Sequence, residues 1–301
     1  MKRRTKKLPP KKRRRVPMAD IIDGKFISSE VRKNIAQEVA ELASVGVVPG
    51  LAVIIVGEDP ASKVYVRNKH KACEAAGINS IVIELPEDTS EDTLISKIGE
   101  LSGDDSIDGI LVQLPLPKHI DEKTVIAAIP PEKDVDAFSY DNVGRIMTGD
   151  YRYLPCTPAG IMKMLEFKGI EVSGKECVVV GRSNIVGKPM AMLLLGANGT
   201  VTVCHSRTKD LGSVTRRADI LVAAVGKKHF ISADMVKEGA VVIDVGINRA
   251  DDGKLYGDVD FDEVSKKASA ITPVPGGVGP MTITMLLENT LKSAKFRAEK
   301  K

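Results

Sequence analysis

The chain of 301 residues contains no tryptophan, only 4% aromatic residues and no long apolar run. So few aromatic side chains argue against a surface whose main task is to stack nucleobases. No apolar stretch approaches the roughly 18 residues that a membrane span needs, so we expect no membrane insertion. A hydrophobic content of 43% with 28% charged residues is typical of a soluble globular protein.

Cysteine and histidine are equally scarce, with four of each. The four cysteines form no C-x-x-C pair, and they stand at Cys73, Cys156, Cys177 and Cys204. This spacing predicts neither a disulfide framework nor a zinc site, and we expect no metal. Reduced thiols in the cytoplasm are the simplest interpretation.

Positive charge is concentrated at the start of the chain. Residues 1–17 carry ten lysines and arginines and no acid, which leaves 34 basic and 40 acidic residues in the remainder, or a net charge of −6. Such a run repels itself and buries no apolar surface, so we predict a disordered basic tail. It could serve nuclear import, make nonspecific contact with nucleic acid, or be an extension upstream of Met18 without a role in the chemistry.

The length of the chain predicts two domains, since 301 residues exceed the size at which one core keeps growing. From Met18 onward, short apolar runs alternate with helical segments, which indicates an α/β fold with parallel sheets. In the first half, residues 61–78 and a segment capped by Ser90 predict helices. Three strands are predicted there, by "LAVIIVG", "SIVIEL" and "IDGILVQLPLP".

The second half predicts a Rossmann-like, doubly wound parallel sheet. A helix with Thr157 as its cap and Pro158 in its first turn is expected to open this half. Four strands follow, in "KECVVVG", "TVTVCHS", "DILVAAVG" and "AVVIDVGIN". We expect the C-terminal helix, 283–301, to pack back on the first domain. The predicted division is therefore 18–155 with 283–301 against 156–282.

The clearest ligand motif is the turn "GRSNIVGKP", which follows the strand "CVVVG" directly. Gly181 and Gly187 bracket this turn, and a helix that begins there would offer free N–H groups to a pyrophosphate. Ser183 stands where the middle glycine of G-x-G-x-x-G would be, so a tight connection without a ligand is the alternative.

The end of the next strand favours one dinucleotide over another. About 25 residues after Gly181, where an NAD enzyme presents an acid to the ribose hydroxyls, this chain has "CHSRT". Ser206 and Arg207 offer a hydroxyl and a fixed positive charge, which suit a 2′-phosphate and predict NADP. A solvated polar loop is the alternative.

Three features of the first half need a common explanation. Tyr65 and Lys69 stand four residues apart and share one helix face. Gln113 ends a strand and Asp136 lies in "PEKDVDAF", where open α/β sheets bind ligands. Together they could recognise a flat heterocycle, although each alone has a plainer interpretation: a solvated charge, a strand-end polar residue and a turn former.

Seven ordered segments give the chain a specific resemblance. They are "PASKVYVRNKHKACEAAGI", "DGILVQLPLP", "PEKDVDAF", "PCTPAGI", "GRSNIVGKPM", "VIDVGIN" and "ITPVPGGVGPMT". With these, residues 18–301 resemble the bifunctional methylenetetrahydrofolate dehydrogenase/cyclohydrolase family. The resemblance implies a folate cleft between two domains, NADP on the second domain and a homodimer.

The resemblance also implies roles for individual residues. In the first domain, Lys69 would be the acid/base group, Gln113 its hydrogen-bonding neighbour, Tyr65 the residue that packs on the folate, Asp136 the acid at the pterin end and Ser62 a further lining residue. In the second domain, the cofactor residues would be Gly181, Arg182, Ser183, Ser206, Arg207 and Ile247. A segment that approaches both ligands would comprise Pro275, Gly276 and Gly277.

Two departures from the family pattern are visible: Ala137, where glycine is common, and the basic tail, which leaves nuclear or other targeting open. The implied activity is oxidation of 5,10-methylenetetrahydrofolate to the 5,10-methenyl form, followed by hydrolysis to 10-formyltetrahydrofolate. The nearest rival is an NADP-dependent dehydrogenase of a small carboxylate, which would need an arginine clamp or a lysine–aspartate pair in the first domain. A nucleic-acid-associated protein that uses the basic tail is the rival from another class.

Overall fold

The computed structural model describes residues 18–250 and 252–299, so the tail 1–17, for which disorder is predicted, lies outside the described residues. The helices are α1 (Gly24–Ser44), α2 (Pro60–Ala76), α3 (Glu91–Ser102), α4 (Glu122–Ala128), α5 (Tyr140–Thr148), α6 (Cys156–Phe167), α7 (Gly187–Gly196), α8 (Leu211–Thr215), α9 (Phe261–Val264) and α10 (Val278–Glu299), with a 3-10 turn at Ala233–Met235. The strands are β1 (Asp20–Ile21), β2 (Gly50–Val56), β3 (Asn79–Leu85), β4 (Gly109–Val112), β5 (Glu176–Val180), β6 (Thr200–Cys204), β7 (Ile220–Ala223), β8 (Val241–Asp244), β9 (Asn248–Arg249), β10 (Leu255–Tyr256) and β11 (Ala270–Ile271).

The first domain contains a parallel sheet of three strands in the order β3-β2-β4. Every residue of the central strand β2 is buried. A strand covered on both faces must be apolar throughout, which is why "LAVIIV" shows no alternation of polar and apolar residues. The three strands predicted in this half are confirmed.

The second domain contains a parallel sheet of six strands in the order β1-β11-β8-β7-β5-β6. The chain moves outward from β5 to β6 and then returns to the other side of β5 for β7. Loops that leave β5 and β7 in opposite directions open a crevice at the carboxyl ends of these two strands, where doubly wound sheets bind ligands. The predicted fold class, two α/β domains of which the second is Rossmann-like, is confirmed.

The edge strand β1 corrects the predicted domain division. Asp20 pairs with Ala270 and Ile21 with Ile271, so these two residues, which were assigned to the first domain, extend the sheet of the second. A strand of two residues has too few positions to show periodicity, and its partner lies about 250 residues away in the sequence. Sequence reasoning therefore had no means to identify it.

The two helices that border the cleft begin differently. Helix α2 has Asp59 as its cap, whose Oδ2 accepts from the Ser62 N–H at 2.7 Å, and Pro60 in its first position. The prediction that Thr157 caps α6 is wrong, because Pro155 occupies that position and no side chain caps the helix. Thr157 lies inside the helix, with its Oγ1 3.0 Å from Thr282 Oγ1 of α10.

Helix α10 contacts α1 and α2 of the first domain as well as α6 of the second. It begins at Val278, five residues before the predicted start at 283, and is described to Glu299. The buried Asn289 amide donates to the carbonyls of Val135 and Leu154, both at 2.9 Å, which attaches the helix to the chain between the domains. In the described ranges no helix has both the length and the hydropathy of a membrane span.

A glycine permits the close packing of α6 on α10. A Cβ at Gly160 would lie 2.8 Å from Met281 Cβ, well inside normal contact. We expect Gly160→Ala to lower the free energy of unfolding by about 1–3 kcal/mol through overpacking. Gly144, inside α5, has nothing within 4 Å of the same position, so Gly144→Ala should instead stabilise by about 0.5–1 kcal/mol. Urea unfolding of both variants tests this, and equal shifts would contradict the packing assigned to Gly160.

Candidate active site

Three side chains form a row on the face of α2 that borders the cleft. Ser62, Tyr65 and Lys69 follow one another at successive turns, and Ser62 and Lys69 are only 5% and 8% exposed. Tyr65 is half-buried, and burial raises the pKa of its phenol, which keeps the ring neutral at physiological pH.

The Lys69 amine reaches the carboxyl end of β4, where its Nζ donates to Gln113 Oε1 at 3.0 Å. The Gln113 amide is oriented by its own Nε2, which donates to the Leu114 carbonyl at 2.6 Å. Its backbone N–H donates to the Ile54 carbonyl at 2.8 Å, which fixes the residue to the sheet. Gln113 therefore presents an uncharged acceptor to the amine.

Two aspartates lie close together beyond β4, and their surroundings differ. The carboxylate of Asp134 is buried and accepts from the Ser139 N–H at 2.7 Å and from Asn142 Nδ2 at 2.9 Å, so it serves the local turn. Asp136 lines the cavity described below. Burial raises the pKa of Asp136, the nearby Asp134 acts in the same direction, and Lys69 opposes both. Asp136 is thus the carboxyl group available to a ligand.

Ala137, the departure from the family pattern noted above, has a left-handed backbone with φ 59°. Glycine adopts this conformation without strain, whereas alanine does so at about 1–2 kcal/mol. The residue is fully buried and its N–H donates to the Asp134 carbonyl at 3.0 Å. These contacts hold the turn that directs Asp136 toward the cavity although the glycine is absent.

A cavity of about 450 Å³ lies between the domains. From the first domain it is lined by Ser62, Tyr65, Lys69, Gln113 and Asp136, and from the second by Ile185, Val186 and Ile247. Sequence reasoning missed Cys156, which also lines it and whose pKa is raised well above the ordinary thiol value by burial and by Asp136. The segment "PCTPAGI" contains this cysteine but gave no reason to assign it to the site, because its place in the cavity depends on how α6 packs.

A larger cavity of about 790 Å³ adjoins the first, and Tyr65 and Ile247 line both. Its walls include the expected segment Pro275–Gly277. The start of α1 fixes that segment, since the Lys25 N–H donates to the Gly276 carbonyl at 3.1 Å and a Cβ on Gly24 would lie 1.8 Å from Gly277 O. Glycines at both positions allow this close approach.

Cations surround the larger cavity, and sequence reasoning missed all of them. They are Lys25, Arg32, Lys71 and Arg249. Arg32 is held by Thr284, whose Oγ1 accepts from its Nε at 2.8 Å. The other three form no ion pair in the parts of the chain that the structure describes. They come from three separate segments, so no local motif could have grouped them.

The residues predicted to bind the dinucleotide lie outside both cavities, Ile247 excepted. Gly181 directly follows β5 with φ 138°, and it packs so closely that a Cβ would lie 2.3 Å from the Ala224 carbonyl oxygen. Ser183 Oγ accepts from the N–H groups of Val186 and Gly187 at 3.1 and 3.3 Å, and the Lys188 N–H donates to the Ser183 carbonyl at 3.0 Å. The free N–H groups predicted at this helix start are therefore taken up within the turn. Since Val186 also lines the smaller cavity, this turn connects the crevice to the cleft.

Beside the turn, residues 205–208 form a compact loop at the end of β6. The Arg207 N–H donates to His205 Nδ1 at 3.1 Å, and the His205 N–H donates to Thr208 Oγ1 at 2.9 Å. The side chains of Arg182 and Arg207 are exposed and have no ion-pair partner among residues 18–250 and 252–299. Arg182 follows β5, and Ser206 and Arg207 follow β6. Two guanidinium groups without an ion pair and a nearby hydroxyl have the chemistry that binds a ribose 2′-phosphate.

Asp244 ends β8 and lines the larger cavity, although only 3% of it is exposed. Its carboxylate accepts N–H groups from Gly246 at 3.0 Å and from Asp258 and Val259 at 2.9 Å. Burial raises the pKa of Asp244 to about 6, and the hydrogen bonds only partly oppose this. The folded protein therefore holds this proton more tightly than the unfolded chain does.

A pH dependence with a definite sign follows for Asp244. Because the pKa of Asp244 is about 6 in the folded protein and about 4 in the unfolded chain, this group adds to the free energy of unfolding at low pH. The contribution is lost as the pH rises from about 4 to about 6. Relative to Asp244→Asn, the wild type should gain about 1 kcal/mol in free energy of unfolding when the pH falls from about 7 to about 5. Urea unfolding at both pH values measures the difference, and a gain in the opposite direction would contradict the assignment.

Comparison with known proteins relates this geometry to a family. Residues 22–136 match the catalytic domain of tetrahydrofolate dehydrogenase/cyclohydrolase, and residues 155–298 match its NAD(P)-binding domain. The bifunctional protein FolD of Acetivibrio thermocellus is 59% identical over 283 residues, which cover 94% of this chain and 99% of that protein.

Two solved structures are similar throughout. The FolD methylenetetrahydrofolate dehydrogenase/cyclohydrolase of Campylobacter jejuni has a TM-score of 0.91 at 52% identity, covering 93% of this chain and 99% of that one. The Trypanosoma brucei enzyme, solved with NADP and an inhibitor, has a TM-score of 0.90 at 40% identity, covering 94% and 99%. This chain therefore belongs to the tetrahydrofolate dehydrogenase/cyclohydrolase family.

Proposed function

We propose that the chain oxidises 5,10-methylenetetrahydrofolate to the 5,10-methenyl form with NADP and then hydrolyses that product to 10-formyltetrahydrofolate, with the residues named above as its site. It is a bifunctional one-carbon folate enzyme. The observation that carries the assignment of the site is the buried Lys69 amine hydrogen-bonded to the neutral Gln113, in a cavity that both domains line.

The two adjoining cavities match the two halves of a folate. The pterin occupies the smaller cavity, where Asp136 hydrogen-bonds the heterocycle and the Tyr65 ring packs on its face. Because Tyr65 also lines the larger cavity, the aminobenzoyl glutamate continues past it along Pro275–Gly277. The glutamate carboxylates then meet the cations around that cavity, which pair with them by charge.

The dinucleotide lies in the crevice at the carboxyl ends of β5 and β7. The turn 181–187 faces the pyrophosphate, Arg182, Ser206 and Arg207 hold the 2′-phosphate, and Ile247 meets the nicotinamide side. When bound, NADP supplies the hydride acceptor for the oxidation. The chain contributes orientation, since Ile247 belongs to the second domain and lines both cavities assigned to the folate.

The second step is where the chain must move protons. Water adds to the methenyl carbon, and the ring opens only after proton transfer to a folate nitrogen. Lys69 suits this because its amine lies in the cavity, where the uncharged Gln113 orients it through a hydrogen bond.

A spectrophotometric assay tests the proposal. Purified protein is given 5,10-methylenetetrahydrofolate with NADP or NAD, and the appearance and later decay of the methenyl product are followed. We expect faster appearance with NADP, and decay faster than in protein-free buffer. Absence of the methenyl product with either cofactor would refute the dehydrogenase assignment, and decay at the buffer rate would refute the cyclohydrolase assignment.

The setting of this activity is part of the proposal. Four free buried cysteines among the described residues suit a reducing cytoplasm, where 10-formyltetrahydrofolate is a donor for purine biosynthesis. We place the active form as a homodimer, which light scattering tests directly.

Nuclear import and nonspecific contact with nucleic acid depend on residues 1–17, and loss of salt-dependent DNA binding in a chain that begins at Met18 would identify such contact.

A further inference from the structure

Asp258 is fully buried and lines neither cavity, yet its carboxylate collects three consecutive N–H groups. These belong to the loop after β7: Oδ2 accepts from Val225 at 2.6 Å and from Gly226 at 3.0 Å, and Oδ1 accepts from Lys227 at 2.8 Å. Within the described part of the chain no cation pairs with Asp258. A buried carboxylate without a cation is unfavourable unless hydrogen bonds compensate it, so this one is committed to the loop.

The loop that Asp258 holds, residues 225–227, forms one wall of the crevice between β5 and β7. Ala224, which precedes it, donates its N–H to the Val180 carbonyl at 2.8 Å. The carbonyl of Ala224 lies where a Cβ on Gly181 would have to stand. The loop therefore packs directly against the turn that faces the dinucleotide, and any displacement of the loop alters the width of the crevice.

The same carboxylate also reaches the segment that carries Ile247. Asp258 Oδ1 accepts from Asn248 Nδ2 at 2.9 Å. The backbone N–H of Asp258 donates to Asp244 Oδ1, which also accepts from Gly246. Both neighbours of Ile247 are thus connected to Asp258. Asn248 is bonded to it directly, and Gly246 is connected to it through Asp244.

We infer that Asp258 is a positioning residue for the cofactor: it fixes the loop 225–227 and the segment 246–248 relative to each other, and so sets the place of the nicotinamide half of NADP without touching it. The inference rests on the proposed function for the identity of the ligand. Asparagine cannot substitute, since it has a single acceptor oxygen and would turn an NH₂ group toward backbone N–H donors.

The test is Asp258→Asn, with the NADP dissociation constant measured directly by calorimetry beside both activities. We expect the dissociation constant to rise about tenfold or more, because hydrogen bonds to a charged group are lost, and the dehydrogenase kcat to fall. Cyclohydrolase turnover of added methenyl substrate should remain, since Lys69 and Gln113 lie in the other domain. A residue with only a structural role would lower both activities together in proportion to the folded fraction.

A matched control is Asp219→Asn at the opposite edge of the same sheet. Asp219 also accepts a backbone N–H, from Glu176 at 2.9 Å, and pairs with Lys237 at 2.7 Å. It should lower stability without changing NADP affinity. An equal loss of NADP affinity in both variants would overturn the inference.

Should Asp258→Asn fail to fold, Asn248→Ala decides the question, because it removes one of the four hydrogen bonds to the Asp258 carboxylate and only one other, a longer one to the Tyr256 carbonyl. We expect a rise of about threefold in the NADP dissociation constant, consistent with one such hydrogen bond, at unchanged cyclohydrolase turnover. An unchanged dissociation constant overturns the inference. If the wild type binds NADP and has no folate turnover, the proposed function fails while the role of Asp258 in cofactor binding is still measured.

Discussion

Lys69→Met is expected to reduce cyclohydrolase turnover by about 10²–10⁴-fold, the usual contribution of a general acid/base group. Methionine has nearly the length of the lysine stem and packs in its place, so the change removes the amine and little else. Gln113 loses its partner across 3.0 Å, while the turn 181–187 and the loop 205–208 lie in the other domain. NADP affinity should therefore be unchanged.

The matched control is Lys63→Met on the same helix. Lys63 is paired with Glu58 on the exposed side of α2, and exposed pairs of this kind contribute about 0–1 kcal/mol. Its removal should leave both activities intact. A folded Lys69→Met protein with wild-type cyclohydrolase turnover would show that another group moves the proton.

Replacing Arg182 and Arg207 together with alanine is expected to weaken NADP binding by about 100-fold, since each charge-assisted hydrogen bond contributes about 1.5–3 kcal/mol. NAD lacks the 2′-phosphate, so its affinity should change little. The preference for NADP over NAD then falls by nearly the same factor. Calorimetric titration with each dinucleotide gives both constants, and the NADP affinity of the wild type should fall more steeply with salt than that of the variant.

Arg217→Ala is the control for general loss of positive charge. Arg217 is 59% exposed and lies 3.8 Å from Glu176, at the amino end of β5 and so at the edge of the sheet away from the crevice. It should leave both affinities unchanged. Equal weakening of NADP and NAD in the double variant would mean that the guanidinium groups act on the pyrophosphate or on the fold, and not on the 2′-phosphate.

Several elements were predictable because their causes are local in sequence. Asp59, Pro60 and Gly77 cap, begin and end α2, and interactions of this kind act over four residues or fewer. The apolar run of β2 and the Ser90 cap of α3 belong to the same class. The prediction that Thr157 caps α6 was wrong because Pro155 occupies the N-cap position. The sequence pattern is compatible with a helix that begins after either residue.

The chemistry of the site divides in the same way. The row of Tyr65 and Lys69 on one helix face follows from the helical period, and the absence of an acid at 205–208 predicts NADP by itself. Whether Asp134 or Asp136 serves the ligand depends on Ser139 and Asn142, which take up the first carboxylate. The resemblance indicated Asp136 from the sequence, but only these contacts give the physical reason.

The sequence by itself determined the fold class, the order of strands and helices, the family and the residue types at the cofactor turn. It could do so because periodicity, capping and turn formation depend on residues that are close together in the sequence. Only the tertiary structure decided which groups meet: Cys156 beside Asp136, four cations around one cavity, β1 in the second sheet, and Asp258 beneath the crevice. These contacts join residues far apart in the chain. They exist because packed helices and parallel strands bring distant segments to one sheet edge, and no local rule encodes that proximity.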